Sequence, residues 1–307
     1  MDIFTNIDKN KRESFLLIAI FIGFITLLGA IFGTALGLPK EEWISSIIFA
    51  LFFSSISAFF SYFFSDKIIL AISGAKEINQ ENAKELFRIL ENLCMASGLP
   101  MPKFYLINDP SPNAFATGRN PKNAAICVTT GLLEKLERSE IEGVIAHELA
   151  HVGNRDTLYM TLVAVLVGTV SLISDLFLRS TRFVRGNNNR EKEKEGSSQI
   201  RLIFFILGIA FSIISPIIAR LIGLCISRKR EFLADATGAY ISRNPEALAF
   251  ALEKIAMDKT PLRNANSAME HLYISNPFKG KKILNLFSTH PPTEERIKRL
   301  RGMVGTV

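Results

Sequence analysis

Long uncharged apolar segments are the feature that most constrains the fold of this chain. The first runs from Phe15 to Leu38 and the second from Trp43 to Ser65, and neither contains a charged side chain. Each is long enough to cross the hydrocarbon of a bilayer as a helix, which takes about 20 residues. The first is also longer than the apolar part of a secretory signal, so we interpret it as an anchor. The linker between them is only "PKEE", so residues 1–65 are predicted to form a transmembrane hairpin.

Two further apolar segments predict a second hairpin over residues 157–226. They run from Thr157 to Ser174 and from Leu202 to Ala219, close to the lower limit of about 18 residues for a span. Buried core helices are the alternative interpretation of both segments. The loop between them, residues 179–201, is rich in basic residues, and the positive-inside rule disfavours its export. The sequence leaves open whether this hairpin fully crosses the bilayer.

The composition favours a membrane protein over a nucleic-acid-binding protein. Hydrophobic residues make up 48% of the chain, and its mean hydropathy is +0.24. A net charge of +7 suits anionic lipid as well as nucleic acid, but the basic residues are scattered and lie beside the apolar segments. We therefore predict membrane lipid, and no nucleic acid, as a partner. The three cysteines form no Cys-x-x-Cys pair and are predicted to be reduced thiols.

The polar remainder, residues 66–156 and 227–307, predicts one globular domain that the second hairpin splits in two. Each part is small for a stable domain, whereas the two together have an ordinary size. Short strands are predicted at "KFYLIND" and "AAICVTT", on either side of the turn-rich "PSPNAFATGRNPKN". The other periodic segments are helical, so the chain as a whole is predicted to be mainly α.

The segment "HELAH" carries the chemistry. His147 and His151 are four residues apart, so a helix puts both on one face, where they can hold zinc with Glu148 as general base. The apolar residues around them follow a helical period, and Ser139 and Glu142 predict the capped start of that helix. The three polar side chains are therefore expected to face packed structure. The motif predicts a metal site but supplies only two ligands.

The third ligand has to come from a distant part of the chain, because the metzincin spacing is absent after the second His. Glu231 and Asp235 are four residues apart on a predicted helix, and either carboxylate could reach a metal; His271 and His290 are the remaining histidines. An antiparallel second hairpin would have equal legs to His151 and Glu231, which favours Glu231. Counted at helical rise, the metal would lie on the order of 9 Å outside the hydrocarbon.

Taken together, these motifs resemble the HtpX family of bacterial and archaeal membrane zinc proteases, relatives of the CAAX prenyl endopeptidases. The resemblance rests on "HELAH", "SRKREFLADATGA", "PNAFATG", "THPPTEERI" and the apolar segments, so it covers nearly the whole chain. It implies a mainly α membrane protein with four transmembrane helices in two hairpins and a split α+β zincin-like catalytic domain. It also implies one zinc ion per chain, bound by His147, His151 and Glu231 as in gluzincins, with Glu148 activating water.

Further site residues follow from the same resemblance. Asp235 matches an acidic position, which we expect to orient a ligand His through a hydrogen bond. His290 and Arg296 match positions suspected of stabilising the oxyanion, and a helix-cap or surface role is the alternative for both. An extended substrate is expected to pair as an added strand with a segment that comprises Asn113, Ala114, Phe115 and Ala116.

The resemblance implies endoproteolysis at the cell membrane, inner or plasma, by a multi-pass protein with a cytoplasmic catalytic domain. The expected substrates are unfolded proteins and cytosolic segments of misfolded or damaged membrane proteins, as in quality control during stress. One alternative is a narrow-specificity processing peptidase of the CAAX-protease type. Another is a non-catalytic membrane scaffold with a structural zinc site. The sequence does not determine natural substrates, cleavage preference, regulation or oligomeric state.

Overall fold

The computed structural model describes residues 3–35, 37–185, 228–278 and 290–305. The chain divides into two units. One combines Met1–Ser14, Phe63–Ala164 and Gly223–Val307, and we call it the polar unit. The other combines Phe15–Tyr62 and Val165–Ile222, and we call it the apolar unit. Residues 1–14, which the sequence analysis placed with the first transmembrane hairpin, thus belong to the polar unit.

Nine α-helices and four β-strands lie within the described ranges. The helices are α1 (Ile3–Ala35), α2 (Lys40–Ser73), α3 (Lys84–Ser97), α4 (Thr130–Lys135), α5 (Arg138–Gly153), α6 (Asp156–Arg185), α7 (Arg228–Ser242), α8 (Pro245–Met257) and α9 (Thr293–Arg301). The strands are β1 (Lys76–Glu77), β2 (Lys103–Ile107), β3 (Ala114–Gly118) and β4 (Ala124–Thr129). Short 3₁₀ helices cover Pro121–Asn123 and Ser267–Leu272.

Two helices are long and apolar enough to cross a membrane, as the first two apolar segments predicted. They cover Ile7–Ile31 and Lys40–Ser73. In the apolar unit α1 and α2 pack closely, because a methyl group at Gly29 would come within 2.5 Å of the Ala50 side chain. The indole N–H of Trp43 donates to the carbonyl of Ala30 (2.9 Å) in the same contact. Small residues are thus what lets the two backbones approach each other.

The second predicted hairpin is described only in its first arm. The segment from Thr157 lies in α6, which qualifies as part of a span only together with α5, and the two helices are bent by 84° at the break between them. In the apolar unit, Leu166 and Val170 of α6 pack with Phe21 and Ile25. The segment Leu202–Ala219 lies outside the described residues. The described helices therefore provide two candidate spans, or three if the bent pair counts as one.

A four-stranded sheet in the polar unit has the order β1-β2-β4-β3. β2 and β4 are parallel, whereas β1 and β3 are antiparallel to their neighbours, so β3 lies at an edge. β2 and β4 match the two strands that the sequence predicted. β3 was missed as a regular strand, since its sequence "AFATG" falls inside the segment that its Pro, Asn and Gly content marked as turn-rich.

The core of the polar unit surrounds α5. Apolar side chains from α3, the sheet, α8 and α9 pack around Val144, Ile145 and Leu149 of this helix, as its apolar period predicts. The start of α5 differs from the prediction, which named Ser139 and Glu142. The helix begins at Arg138, and the carboxylate of Glu140 accepts a hydrogen bond from the Glu137 N–H (2.7 Å). The same type of reciprocal cap thus forms two residues earlier.

Candidate metal centre and active site

Two helices of the polar unit bring together the three predicted metal ligands. α5 carries His147 and His151, α7 carries Glu231, and all three side chains are buried. The Nε2 atoms of the two histidines are 3.2 Å apart, and the Glu231 carboxylate lies 3.9 Å from His147 Nε2 and 3.5 Å from His151 Nε2. Ligand atoms about 2.1 Å from a tetrahedral zinc ion lie about 3.4 Å from one another. The arrangement therefore fits zinc, and within the described ranges it is the group that could hold a metal ion.

A close contact between α7 and α5 sets the position of the third ligand. A Cβ atom on Gly238 would lie 2.8 Å from the backbone nitrogen of His147, so only glycine allows the two helices to meet at this point. Glu231 and Asp235 precede Gly238 on α7, and both side chains are buried. The sequence analysis quoted this segment but assigned no role to the glycine.

Glu148 is buried beside the metal ligands, and neither of its carboxylate oxygens has a hydrogen-bond partner among the described residues. Burial raises the pKa of Glu148, and the neighbouring His147 and His151 oppose this rise only in part. A carboxylate kept free of hydrogen bonds and raised in pKa is suited to accept a proton from water near neutral pH. This is the role that the motif predicted for Glu148.

Each ligand histidine has a carboxylate at its other ring nitrogen. Asp235 Oδ1 lies 3.0 Å from Nδ1 of His147, a short distance that is not aligned as a hydrogen bond. Asp156 Oδ2 lies within hydrogen-bond distance of Nδ1 of His151 (3.1 Å). Carboxylates in this position fix the ring and favour the tautomer whose Nε2 faces the metal. The sequence analysis proposed Asp235 and missed Asp156, although Asp156 follows the second histidine by only five residues.

Arg296 links these carboxylates. It is buried and donates two hydrogen bonds to Asp235, from Nε (2.8 Å) and Nη2 (2.7 Å), and its Nη1 lies 3.4 Å from Glu231. Burial alone would raise the pKa of both carboxyl groups. The charge of Arg296, its hydrogen bonds to Asp235 and the neighbouring histidines together outweigh burial, so the pKa of Asp235 lies well below its usual range and that of Glu231 is also lowered. Both therefore stay ionised at neutral pH.

Residues 273–275 lie against the N-terminal end of β3. The N–H of Ile274 donates to the carbonyl of Ala114 (2.9 Å), and the Asn113 side chain donates to the carbonyl of Ser275 (3.0 Å). Asn113 is thus occupied within the protein, at the end of the strand where the sequence analysis placed substrate. The ring of Phe115, the next residue of β3, packs edge-on against Tyr273.

His290 and Arg296 hold the same segment from its other side. Nε2 of His290 is hydrogen-bonded to the carbonyl of Tyr273, and Nη1 of Arg296 donates to the carbonyl of Ile274 (3.1 Å). Burial lowers the pKa of His290, and the nearby Glu231 opposes this only in part, so this imidazole is neutral at neutral pH. Both side chains therefore lie within the buried site and link it to residues 273–275.

β3 pairs with β4 on one side, and on its other side the backbone groups in the middle of the strand point away from the sheet. The carbonyl of Asn113 accepts from the N–H of Thr129 on β4 (3.0 Å). Because antiparallel pairing alternates, the backbone groups of Ala114 and Ala116 point away from β4. Ala114 uses its carbonyl to bind Ile274. Ala116 follows as the next residue whose N–H and C=O point away from β4, and the residue as a whole, backbone included, is only 4% exposed.

Comparison with known proteins gives a consistent picture. Residues 80–304 match the model of peptidase family M48. A protease HtpX homolog of Caldanaerobacter subterraneus subsp. tengcongensis is 45% identical over 296 residues, 96% of each chain. A protease HtpX homolog of Thermococcus sibiricus is 43% identical over 287 residues, 93% of each chain.

One similar solved structure is the crystal structure of S. mikatae Ste24p. It shares 20% sequence identity with a TM-score of 0.45, and the match covers 96% of this chain and 66% of that protein.

Proposed function

The chain belongs to peptidase family M48 and is a membrane metalloprotease, and we propose that it is a zinc-dependent endopeptidase for extended cytosolic segments of misfolded or damaged membrane proteins. The observation that carries this proposal is the group of His147, His151 and Glu231 beside Glu148, whose carboxylate has no hydrogen-bond partner among the described residues. The distances between the three ligand atoms fit one zinc ion per chain.

Glu148 is the residue that handles protons in this proposal. His147, His151 and Glu231 would hold the zinc ion, which would acidify a water molecule and polarise a carbonyl group. The carboxylate of Glu148 accepts a proton from the attacking water and then delivers it to the leaving amide nitrogen. Its raised pKa suits both halves of this transfer, and its burial keeps other donors away.

The number of ligands supports an enzyme over a scaffold with a structural zinc site. A structural site is closed by four protein ligands, whereas a catalytic site keeps the fourth position for water. The metal-binding group within the described ranges has three members. A scaffold also has no use for a buried carboxylate without hydrogen bonds, since leaving such a group unpaired is costly.

Arg296 and His290 remain the proposed stabilisers of the oxyanion. Three of the five N–H groups of Arg296 are used on Asp235 and Ile274. Nη2 of Arg296 also lies 3.5 Å from Nε2 of His147, so its charge is close to the ligand atoms. A fixed positive charge at this place favours negative charge that develops on the substrate during the reaction.

The edge of β3 is the proposed binding site for substrate. A peptide that adds as a strand would form backbone hydrogen bonds with the N–H and C=O of Ala116, because the carbonyl of Ala114 already accepts a hydrogen bond from Ile274. Such pairing requires an extended peptide but depends little on the amino-acid sequence of that peptide. This supports a broad endopeptidase over a narrow processing peptidase, and cleavage profiles of unfolded and prenylated substrates would distinguish the two.

Location and topology are proposed as well. The two helices that are long and apolar enough to cross a membrane support attachment to the cell membrane, inner or plasma. We place the catalytic domain in the cytoplasm of a multi-pass protein, with membrane lipid and unfolded membrane proteins as partners and no nucleic acid.

The decisive experiment compares Glu148→Gln with the wild type in detergent, by metal analysis and by cleavage of unfolded casein. We expect bound zinc to be unchanged, because Glu148 is not a ligand, and turnover to fall by about 10²–10⁴-fold. Glu142→Gln is a matched control, since Glu142 lies on the same helix outside the metal-binding group. Equal turnover of the Glu148→Gln variant and the wild type would refute the proposal.

A further inference from the structure

Asp156, the partner of His151, is held by a residue from the beginning of the chain. Asn10 of α1 is buried, and its side-chain amide donates to Asp156 Oδ1 (2.7 Å) and to the carbonyl of Asn154 (2.8 Å). Both N–H groups of this amide therefore donate hydrogen bonds to the same turn, residues 154–156. That turn directly follows α5, the helix that carries both ligand histidines.

The turn that presents Asp156 is strained and needs support. Arg155 has a positive φ of 62°, a left-handed conformation that non-glycine residues rarely adopt. The chain changes direction at this turn, where the axes of α5 and α6 make a bend of 84°. Asn10 holds both sides of the strained residue, through the carbonyl of Asn154 and the carboxylate of Asp156.

A second connection reaches the same carboxylate from the other metal-bearing helix. Arg230, the neighbour of the ligand Glu231, lies with Nη1 3.5 Å from Asp156 Oδ1, and its Nη2 is paired with Glu13 of α1. Its guanidinium also lies over the ring of Tyr159, 4.5 Å from the centroid. Oδ1 of Asp156 is therefore fixed by Asn10 and Arg230, which leaves Oδ2 aimed at Nδ1 of His151.

We propose that Asn10 and Asp156 act in series as positioning residues for His151, so that the first turns of α1 are part of the metal centre. Asp156 orients the imidazole, and Asn10 orients Asp156. An amide suits this position because it donates two hydrogen bonds, one to each side of the turn. The inference rests on the proposed function, since it requires that the three ligands hold a metal.

The test measures metal binding by the full-length protein in detergent, without using proteolysis. Zinc affinity is determined by competition with a chromogenic chelator, and the visible spectrum of the Co²⁺-substituted protein reports the ligand geometry. We expect Asp156→Ala to weaken zinc binding about 10- to 100-fold, as is typical for partners of ligand histidines. We expect Asn10→Ala to weaken it about tenfold and to change the Co²⁺ spectrum.

A double-mutant cycle separates positioning in series from a general structural role. If Asn10 acts only through Asp156, the double variant binds zinc no more weakly than Asp156→Ala alone. Ser14→Ala is a matched control, since Ser14 is also buried on α1 but, within the described ranges, donates to the carbonyl of Asn10 and not to Asp156. If Asn10→Ala does not fold, Asn10→Ser replaces it in the cycle, because serine keeps one donor.

The possible results are distinct. Unchanged zinc affinity and an unchanged Co²⁺ spectrum in the Asn10 variant would overturn the inference, as would fully additive losses in the cycle. Failure of the wild-type protein to bind either metal would overturn the proposed function together with this inference. A loss that disappears in the Asp156→Ala background supports it.

Discussion

Gly238 and His147 are in backbone contact across two helices. A Cβ atom at position 238 would lie 2.8 Å from the nitrogen and 2.9 Å from the Cα of His147. Glu231 lies two turns before Gly238 on the same helix, so this contact fixes the distance between the carboxylate ligand and the first histidine ligand.

Gly238→Ala is therefore expected to damage the metal centre. The added methyl group meets backbone atoms that cannot rotate away, so α7 has to move, which costs about 1–3 kcal/mol of unfolding free energy. Both the zinc affinity and the midpoint of thermal unfolding, measured in detergent, should be lower than in the wild type. Gly168→Ala is the matched control, because among the described residues a methyl group there meets nothing within 4 Å. A Gly238→Ala variant with wild-type zinc affinity would show that the contact does not set the ligand position.

Glu231→Ala and Asp235→Ala should have different effects. Glu231→Ala removes a ligand, so both zinc and activity should be lost. Asp235→Ala should weaken zinc binding about 10- to 100-fold. It should also reduce stability by about 3–5 kcal/mol, since Arg296 loses its two hydrogen bonds to Asp235 and keeps a buried charge. Metal analysis and thermal unfolding provide the readouts, and an empty site in Asp235→Ala with a full site in Glu231→Ala would mean that their roles are exchanged.

His271 should make the protein less stable in acid. Burial lowers its pKa to about 4, although its hydrogen bond to the carbonyl of Met160 opposes the shift. The unfolded residue takes up its proton near pH 6.5, so between pH 6.5 and 4 the unfolded chain binds more protons. The free energy of unfolding therefore falls as the pH falls through this window, by on the order of 3 kcal/mol from this group.

The variant His271→Gln isolates this contribution, since Gln can still donate to Met160 but does not titrate. Thermal midpoints measured at pH 7.5 and 5 should differ less in the variant than in the wild type. His290 also has a lowered pKa and titrates in both proteins, so the comparison cancels it. Identical pH dependence in the two proteins would contradict the prediction.

Cleavage of a membrane substrate should be confined to its extended cytosolic segments. A model substrate with one transmembrane helix and flexible cytosolic tails of graded length should be cut within the tail. A tail of equal length that forms a stable helix is the control and should be spared, because it has no free backbone groups for pairing with β3. Cut sites are mapped by mass spectrometry. Cuts inside the transmembrane helix or on the far side of the membrane would contradict the proposed placement of the site.

The metal ligands could be predicted from the sequence because each pair lies on one helix. A spacing of four residues puts His147 with His151, and Glu231 with Asp235, on one face whatever the rest of the fold does. The long apolar segments predicted the two helices that are long and apolar enough to cross a membrane for a similar reason, since length and composition alone identify such helices.

The contacts that join distant parts of the chain could not be predicted in this way. Asn10 reaches Asp156 across 146 residues, and no local period marks either residue. Residues 273–275 lie beside β3 through tertiary contacts that no local sequence pattern indicates. The estimate that put the metal about 9 Å from the hydrocarbon assumed one straight helix from His151 to Thr157. The 84° bend removes that assumption, and Arg155, which lies at the break between the two helices, has a positive φ.

The outward edge of β3 has a consequence for how substrates compete. A substrate that pairs with main-chain groups of β3 must have an extended backbone free to form hydrogen bonds, whereas its side chains matter little. The rate of cleavage then follows the fraction of time that a target spends locally unfolded. A target destabilised by about 1.4 kcal/mol would be cut about tenfold faster with no change in its sequence at the cut site. The enzyme would thus sort its membrane neighbours by their folding equilibria.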